Sequence, residues 1–329
     1  MRTVYKAAIV GLGNIAWRFD CHKPDLYTSR THASSYMNNH RINLIGGCSP
    51  NEADRKEFEE FFRVPSFPEF EELIESVKPD VVSICSPPEN HFKQVKYCLA
   101  NGIPMIWLEK PPALSLQELD NLIEEQSKHR NRSTILVNYQ RRYSDPYFEL
   151  KSLYENGLFG KCVMIQINYS RGLETNGSHV IDMLFYIVGN GLEYEVNQIM
   201  TFRETSSPSF SLAFKNGIEV MVSGMALPYH CIDIALIFES GRASILYGGA
   251  TMMLEKKIEN EEYPGFYRLK NEKITNFEQG GFHGSMDRAL SDLIECHEGK
   301  NFPVSNLMTA RNAQSVMHQV REKQGSSHS

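Results

Sequence analysis

The residues best placed for chemistry lie near the start of the chain. Ala7-Ala8-Ile9-Val10 runs straight into Gly11-Leu12-Gly13-Asn14-Ile15-Ala16. An apolar strand ending in Gly-x-Gly-x-x-Ala is how a buried parallel strand delivers its carboxyl end to a pyrophosphate. Gly11 permits the tight turn. Gly13 lets backbone approach phosphate, and Ala16 lets the next helix pack on the strand. Free N–H groups and partial positive charge at that helix's start would face the anion. Gly11, Gly13, Asn14 and Ile15 are therefore the expected contacts to a dinucleotide.

A second position sets which dinucleotide. In such folds an acid at the end of strand two binds the adenosine ribose. Here that end reads Cys48-Ser49-Pro50-Asn51, with no carboxylate before Glu52. Ser49 in place of the acid lifts the repulsion against a 2′-phosphate, and Arg55 and Lys56 follow within reach. The expectation is NADP or NAD, with NADP favoured. Ser49 also lies 38 positions after Gly11, against about 20 for the usual acid. The excess falls over Trp17–Arg30, which leaves from the phosphate turn and is expected to form part of a lid.

Alternating strand and helix patterns must position these groups. Strands are expected at Ala7–Val10, Ile42–Cys48, Asp80–Cys85, Pro104–Leu108 and Ser133–Val137. Helices are expected at Ala33–Asn39, Glu52–Phe62, Phe70–Val77, His91–Asn101 and Leu116–Lys128. This rhythm predicts a doubly wound parallel sheet over residues 1–138. From 139 to 329 the pattern changes to hairpins and helices. Lys215-Asn216-Gly217 separates Phe210–Phe214 from Ile218–Ser223, and Glu239-Ser240-Gly241 separates Ile232–Phe238 from Arg242–Tyr247. Helical spacing returns at Pro146–Asn156, His179–Val188, Met286–His297 and Leu307–Val320. The second domain is thus expected to be α+β with a largely antiparallel sheet. The polar tail from Lys323 is expected to fray.

Composition narrows the function classes. The 329 residues are 41% hydrophobic with a net charge of −6 spread along the chain, a balance that favours neither nucleic acid nor a membrane surface. Met1–Lys6 is too short and polar for a secretion signal. Seven dispersed cysteines without Cys-x-x-Cys read as reduced thiols, so a cytoplasmic location and no metal are expected.

Three further motifs carry a resemblance: Ser86-Pro87-Pro88-Glu89-Asn90-His91, Glu109-Lys110-Pro111-Pro112 and Asn176-Gly177-Ser178-His179-Val180-Ile181-Asp182. With Gly11–Ala16 they resemble the glucose–fructose oxidoreductase / inositol dehydrogenase / MocA-like family. The resemblance implies a Rossmann domain, a second domain with an open sheet, and pyridine-nucleotide oxidoreduction of sugars or cyclitols. It places Ser86, Pro87, His91, Glu109 and Lys110 on the cofactor side. Lys110, at a strand's carboxyl end, would hold the substrate hydroxyl and share its proton as hydride leaves carbon. Glu109 would orient rather than react. His179 would assist, with Asp182 three residues on and able to share its helix face.

Arg142 and Asn176 are further expected substrate contacts. Many family members carry an Asp where this chain has Thr175, which leaves the proton route to Lys110 or His179. The implied function is hydride transfer between nicotinamide and a hydroxyl or ketone carbon of a sugar, sugar nucleotide or cyclitol. The alternatives are a non-catalytic dinucleotide-binding regulator and a reductase of a non-sugar substrate. A homodimer or homotetramer is implied, with the apolar alternation of Ile232–Phe238 and Ile245–Tyr247 compatible with a sheet-face interface.

Overall fold

A computed structural model describes residues 3–21, 29–128, 133–199 and 205–326. The chain divides into two compact units, Met1–Tyr143 with Gly284–Arg311 and Ser144–His283 with Asn312–Ser329.

The first unit is built on six parallel strands: β1 (Tyr5–Val10), β2 (Ile42–Cys48), β3 (Ser66–Phe67), β4 (Val81–Ile84), β5 (Met105–Leu108) and β6 (Thr134–Val137). Their order is β3-β2-β1-β4-β5-β6, the doubly wound arrangement expected from the alternating pattern. Successive strand residues point to opposite faces, and the two faces carry two separate cores. Ala8, Val10, Val82, Ile84, Ile106 and Leu108 belong to one. Ala7, Ile9, Val81, Met105 and Trp107 belong to the other. The connecting helices are α1 (His32–Asn38), α2 (Glu52–Phe62), α3 (Phe70–Val77), α4 (Pro88–Ala100) and α5 (Leu116–Lys128). Local chemistry sets their ends. Thr31 and Ser34 form a capping box on α1, Asn51 accepts from the Ala53 N–H at 2.9 Å to cap α2, and Arg63 closes α2 in the left-handed region.

The second unit holds α6 (Asp145–Glu155), β7 (Cys162–Ser170), α7 (Ser178–Val188), β8 (Tyr194–Ile199), β9 (Phe210–Phe214), β10 (Glu219–Met225), β11 (Ile232–Phe238), β12 (Gly241–Leu246), β13 (Thr251–Glu259) and β14 (Tyr267–Asn276). The sheet order is β14-β13-β12-β11-β7-β10-β9-β8. Only β7 and β10 pair in parallel among these neighbours. Every residue of α7 is buried, Ser178, His179 and Asp182 included. It packs in one core with Ile232, Ile234, Leu236, Phe238 and Ile245. Of the apolar alternation read as compatible with an interface, Ile232, Ile234, Leu236, Phe238 and Ile245 therefore point into the core, whereas Tyr247 is exposed.

Two expectations need correction. One boundary at 138/139 does not describe the units, because α8 (Ser285–Gly299) belongs to the first. Met286, Ala289, Leu290, Leu293 and Ile294 complete the Trp107 core, so a late segment closes an early sheet. Leu293→Ala is expected to cost about 2–5 kcal/mol in urea denaturation; a cost under about 1 kcal/mol would contradict this packing. The tail also differs. α9 (Leu307–Ser326) continues to Ser326, and the Lys323 ammonium donates to the Val196 carbonyl. Residues 327–329 lie outside the described residues.

All seven cysteines are free thiols. Among the described residues, no helix is long and apolar enough to cross a membrane, and no three His, Cys, Asp or Glu side chains are grouped to hold a metal ion.

Candidate active site

The carboxyl ends of β1, β2 and β4 open onto a cavity of about 680 Å³, lined in part by Gly11, Gly13, Ser49, Asp54, Ser86 and Pro87. Gly11 sits at φ +84°, and a Cβ there would stand 2.5 Å from the Ser86 nitrogen and 2.6 Å from the Cys85 carbonyl oxygen. Only glycine fits that turn. At Gly13, by contrast, no described atom lies within 4 Å of a Cβ position, so the bare backbone faces open space on the cavity wall.

The turn does not feed a regular helix. Asn14 and Ile15 head a five-residue π-helical turn, Asn14–Arg18, and among the described residues the next α-helix begins at His32. Trp17 accounts for the tie: its Nε1 donates to the Leu12 carbonyl at 3.1 Å and its ring packs edge-on to Phe58 and Phe62. Half of the expected lid, residues 22–28, lies outside the described residues. Near its ends, Arg18 pairs with Asp54 and Glu57, and Ser29 Oγ donates to Asp287 Oδ1 at 2.5 Å.

Lys110 follows β5 beside a buried polar group. Glu109 Oε1 lies 3.0 Å from His32 Nε2 and accepts from Asn138 Nδ2 at 2.5 Å. His32 Nδ1 lies 2.8 Å from Ser83 Oγ, and its ring rests 4.1 Å from that of Trp107. Burial alone would raise the Glu109 carboxyl, but His32, Asn138 and Lys110 together hold it below the usual carboxylate range. Burial lowers the Lys110 ammonium. Glu109 opposes that effect and Arg141 adds to it. The result is a partly desolvated amine beside a fixed carboxylate, suited to exchanging a proton nearer neutrality than an ordinary lysine. The Lys110–Pro111 peptide is cis.

Other predicted contacts sit differently. His91 is buried, with Nδ1 2.7 Å from the Pro111 carbonyl and Nε2 2.8 Å from the Ser86 carbonyl. It ties the two loops together instead of forming the cavity rim. Arg55 turns its guanidinium onto the Ser49 and Pro50 carbonyls, at 2.8 and 3.0 Å, and Lys56 pairs with Glu52 on the exposed face of α2. Arg142 is 1% exposed and donates to the Val304 carbonyl at 3.1 Å, a tie within the first unit.

The remaining candidates lie in the second unit. A π-helical turn, Leu173–Gly177, leads into α7, and Thr175 donates to the Arg171 carbonyl. Asn176 Nδ2 lies 3.1 Å from His230 Nδ1. Asp182 is 0% exposed, whereas Asn176 and His179 retain 8% and 9%. Sequence reasoning missed His32, Asp54 and His230. Each is brought to its partner by strand order or by a loop, and no spacing marks it.

Comparison with known proteins agrees with this architecture. Residues 5–139 match the GFO_IDH_MocA family model, described as an oxidoreductase family with an NAD-binding Rossmann fold. D-glucoside 3-dehydrogenase of Escherichia coli K12 is 22% identical over 204 residues, covering 56% of this chain and 54% of that protein. Myo-inositol 2-dehydrogenase of Thermotoga maritima is 30% identical over 136 residues, 37% of this chain and 40% of that protein. The chain thus spans about half or less of these relatives' length. A dehydrogenase from Chromobacterium violaceum shares the fold with a TM-score of 0.77 at 16% identity, over 98% of this chain and 96% of that one. UDP-N-acetylglucosamine 3-dehydrogenase from Acidithiobacillus ferrooxidans does so with a TM-score of 0.72 at 16% identity, over 98% of each chain. Residues 5–139, which hold the glycine turn and the strand order described above, match the family of Gfo/Idh/MocA oxidoreductases.

Proposed function

We propose that the protein is an NAD(P)-dependent oxidoreductase acting on a CH–OH or ketone carbon of a sugar, sugar nucleotide or cyclitol. The observation that carries this reading is the half-buried Glu109–Lys110 pair after β5, in the same sheet as the glycine turn, with Glu109 held by His32 and Asn138. Gly11 and Gly13 bring bare backbone to the cavity wall, which suits a pyrophosphate. The bound nicotinamide would supply the hydride acceptor or donor.

Lys110 would hold the substrate hydroxyl and take its proton in the oxidising direction, or return it in the reducing one. Glu109 keeps that amine charged over a wider pH range, and His32 and Asn138 keep Glu109 in place. Asn176 and His179 are proposed substrate contacts on likeness to the family, His179 assisting proton movement. Arg142 and Asp182, buried more deeply, serve to hold their elements. Substrate specificity for polyhydroxylated molecules rests on likeness to the sugar and inositol dehydrogenases named above. A homodimer or homotetramer through the open sheet face, where Met221, Gln166 and Ala235 lie in one row, belongs to the same reading.

Two measurements test the proposal. Titration with NADH and NADPH, followed by nicotinamide fluorescence, is expected to saturate with at least one; no binding of either would overturn it. Glu109→Gln removes the charge that raises Lys110, so the pH limb of alcohol oxidation should move to lower pH. A limb that stays in place would remove Glu109 from the account.

A further inference from the structure

Ser49 leaves the end of β2 without the acid that dinucleotide folds use to hold the adenosine ribose. A carboxylate returns to that place from α2. Asp54, in the first turn of α2, lines the cavity beside Ser49. Its Oδ2 lies 3.3 Å from Ser49 Oγ and its Oδ1 accepts from Arg18 Nη2 at 2.7 Å. Two donors from different elements therefore aim this carboxylate at the end of β2. Arg18 is itself engaged by Glu57 at 2.6 Å. Arg55, the cation expected to receive a phosphate there, spends its Nη1 on the Ser49 and Pro50 carbonyls.

The rest of the wall has the same sign. Glu69 and Glu71 line it with Asp54, and Lys93 is the one lysine or arginine among the described lining residues. Burial, with Glu69 and Glu71 acting the same way and Arg55 opposing, pushes the Cys48 thiol up to about 12.

We propose that Asp54 replaces the missing β2 acid, accepting a hydrogen bond from an adenosine ribose hydroxyl and excluding a 2′-phosphate, so that the site takes NAD(H) over NADP(H). This rests on reading the glycine-turn cavity as a dinucleotide site. It reverses the expectation of NADP drawn from Ser49 and Arg55, because the charge removed at position 49 comes back at 54. A ribose hydroxyl gains an acceptor here, whereas a phosphate dianion would meet a carboxylate held at hydrogen-bond range. Such like-charge contact is a repulsive element that separates two otherwise equal ligands.

The test is fluorescence titration of the full chain with NADH and NADPH, on wild type, Asp54→Asn and the double variant Ser49→Asp/Asp54→Asn. Wild type is expected to bind NADH at least about tenfold more tightly. Asp54→Asn should bring the two affinities within about threefold, chiefly by weakening NADH and admitting NADPH. The double variant, with the acid restored at the end of β2, should recover the NADH preference even if Asp54→Asn folds poorly. Equal or tighter NADPH binding by wild type would overturn the inference, as would an unchanged ratio in Asp54→Asn. Binding of neither nucleotide would instead overturn the dinucleotide reading, and the inference with it.

Discussion

Lys110→Met will bind nicotinamide nucleotide as the wild type does and lose turnover by about 100- to 10,000-fold, the usual contribution of a positioned acid–base group. Methionine keeps the length and packing of the stem and removes only the amine. The pH dependence carries a sign. Burial and Arg141 lower the Lys110 ammonium below the ordinary lysine value, which is about 10.4. Oxidation needs the neutral amine, so its rate should climb as pH rises through that lowered value. Reduction needs the charged form and should fall over the same range. Lys110→Met should lose both limbs. Retention of turnover within about threefold would show that another group carries the proton.

Gly11→Ala is expected to destabilise the first unit by about 2–5 kcal/mol, adding about 1–2 for a left-handed non-glycine residue to about 1–3 for overpacking. The added Cβ would meet backbone atoms of Cys85 and Ser86, at 2.6 and 2.5 Å, and backbone cannot rotate away as a side chain can. Gly13→Ala provides the contrast. Its φ of −89° suits alanine, and the described structure leaves the Cβ in open space, so stability should hold within about 1 kcal/mol. The same methyl would stand where backbone must approach phosphate, and NADH affinity should fall at least about tenfold. Urea denaturation and nucleotide titration separate the two effects. A Gly11→Ala protein as stable as wild type would contradict the turn geometry.

The parts legible in sequence were those fixed by local pattern. Glu52–Phe62, Phe70–Val77 and Leu116–Lys128 form helices at the bounds expected, because spacing of apolar residues and the residues at their ends agree. β4, β5 and β6 are short apolar runs buried along their whole length, and such runs between helical segments read as central parallel strands. β14 was not read. Nearly every residue of Tyr267–Asn276 is exposed, so no face is buried and no alternation is imposed on the sequence.

The polar environment of Lys110 was hidden for a different reason. His32 and Glu109 are 77 positions apart and meet through strand order and the placement of α1, which composition near either residue does not encode. Asp54 is one of several charges on α2, among Glu52, Arg55, Lys56 and Glu57. Only the pairing with Arg18 and Ser49 shows where its carboxylate points. The α8 segment was assigned to the wrong domain because proximity along the chain outweighed its apolar face, which the Trp107 core claims.

The most direct test of the central claim is to incubate the protein with NAD⁺ or NADP⁺ and a panel of sugar nucleotides, aldoses and inositols, and to follow reduced nicotinamide at its absorbance band for wild type and Lys110→Met in parallel. The account predicts that at least one polyol gives sustained reduction with wild type and that Lys110→Met abolishes it. Tight nucleotide binding with no turnover of any polyol, in either direction, would contradict the account and point to a regulatory dinucleotide-binding protein.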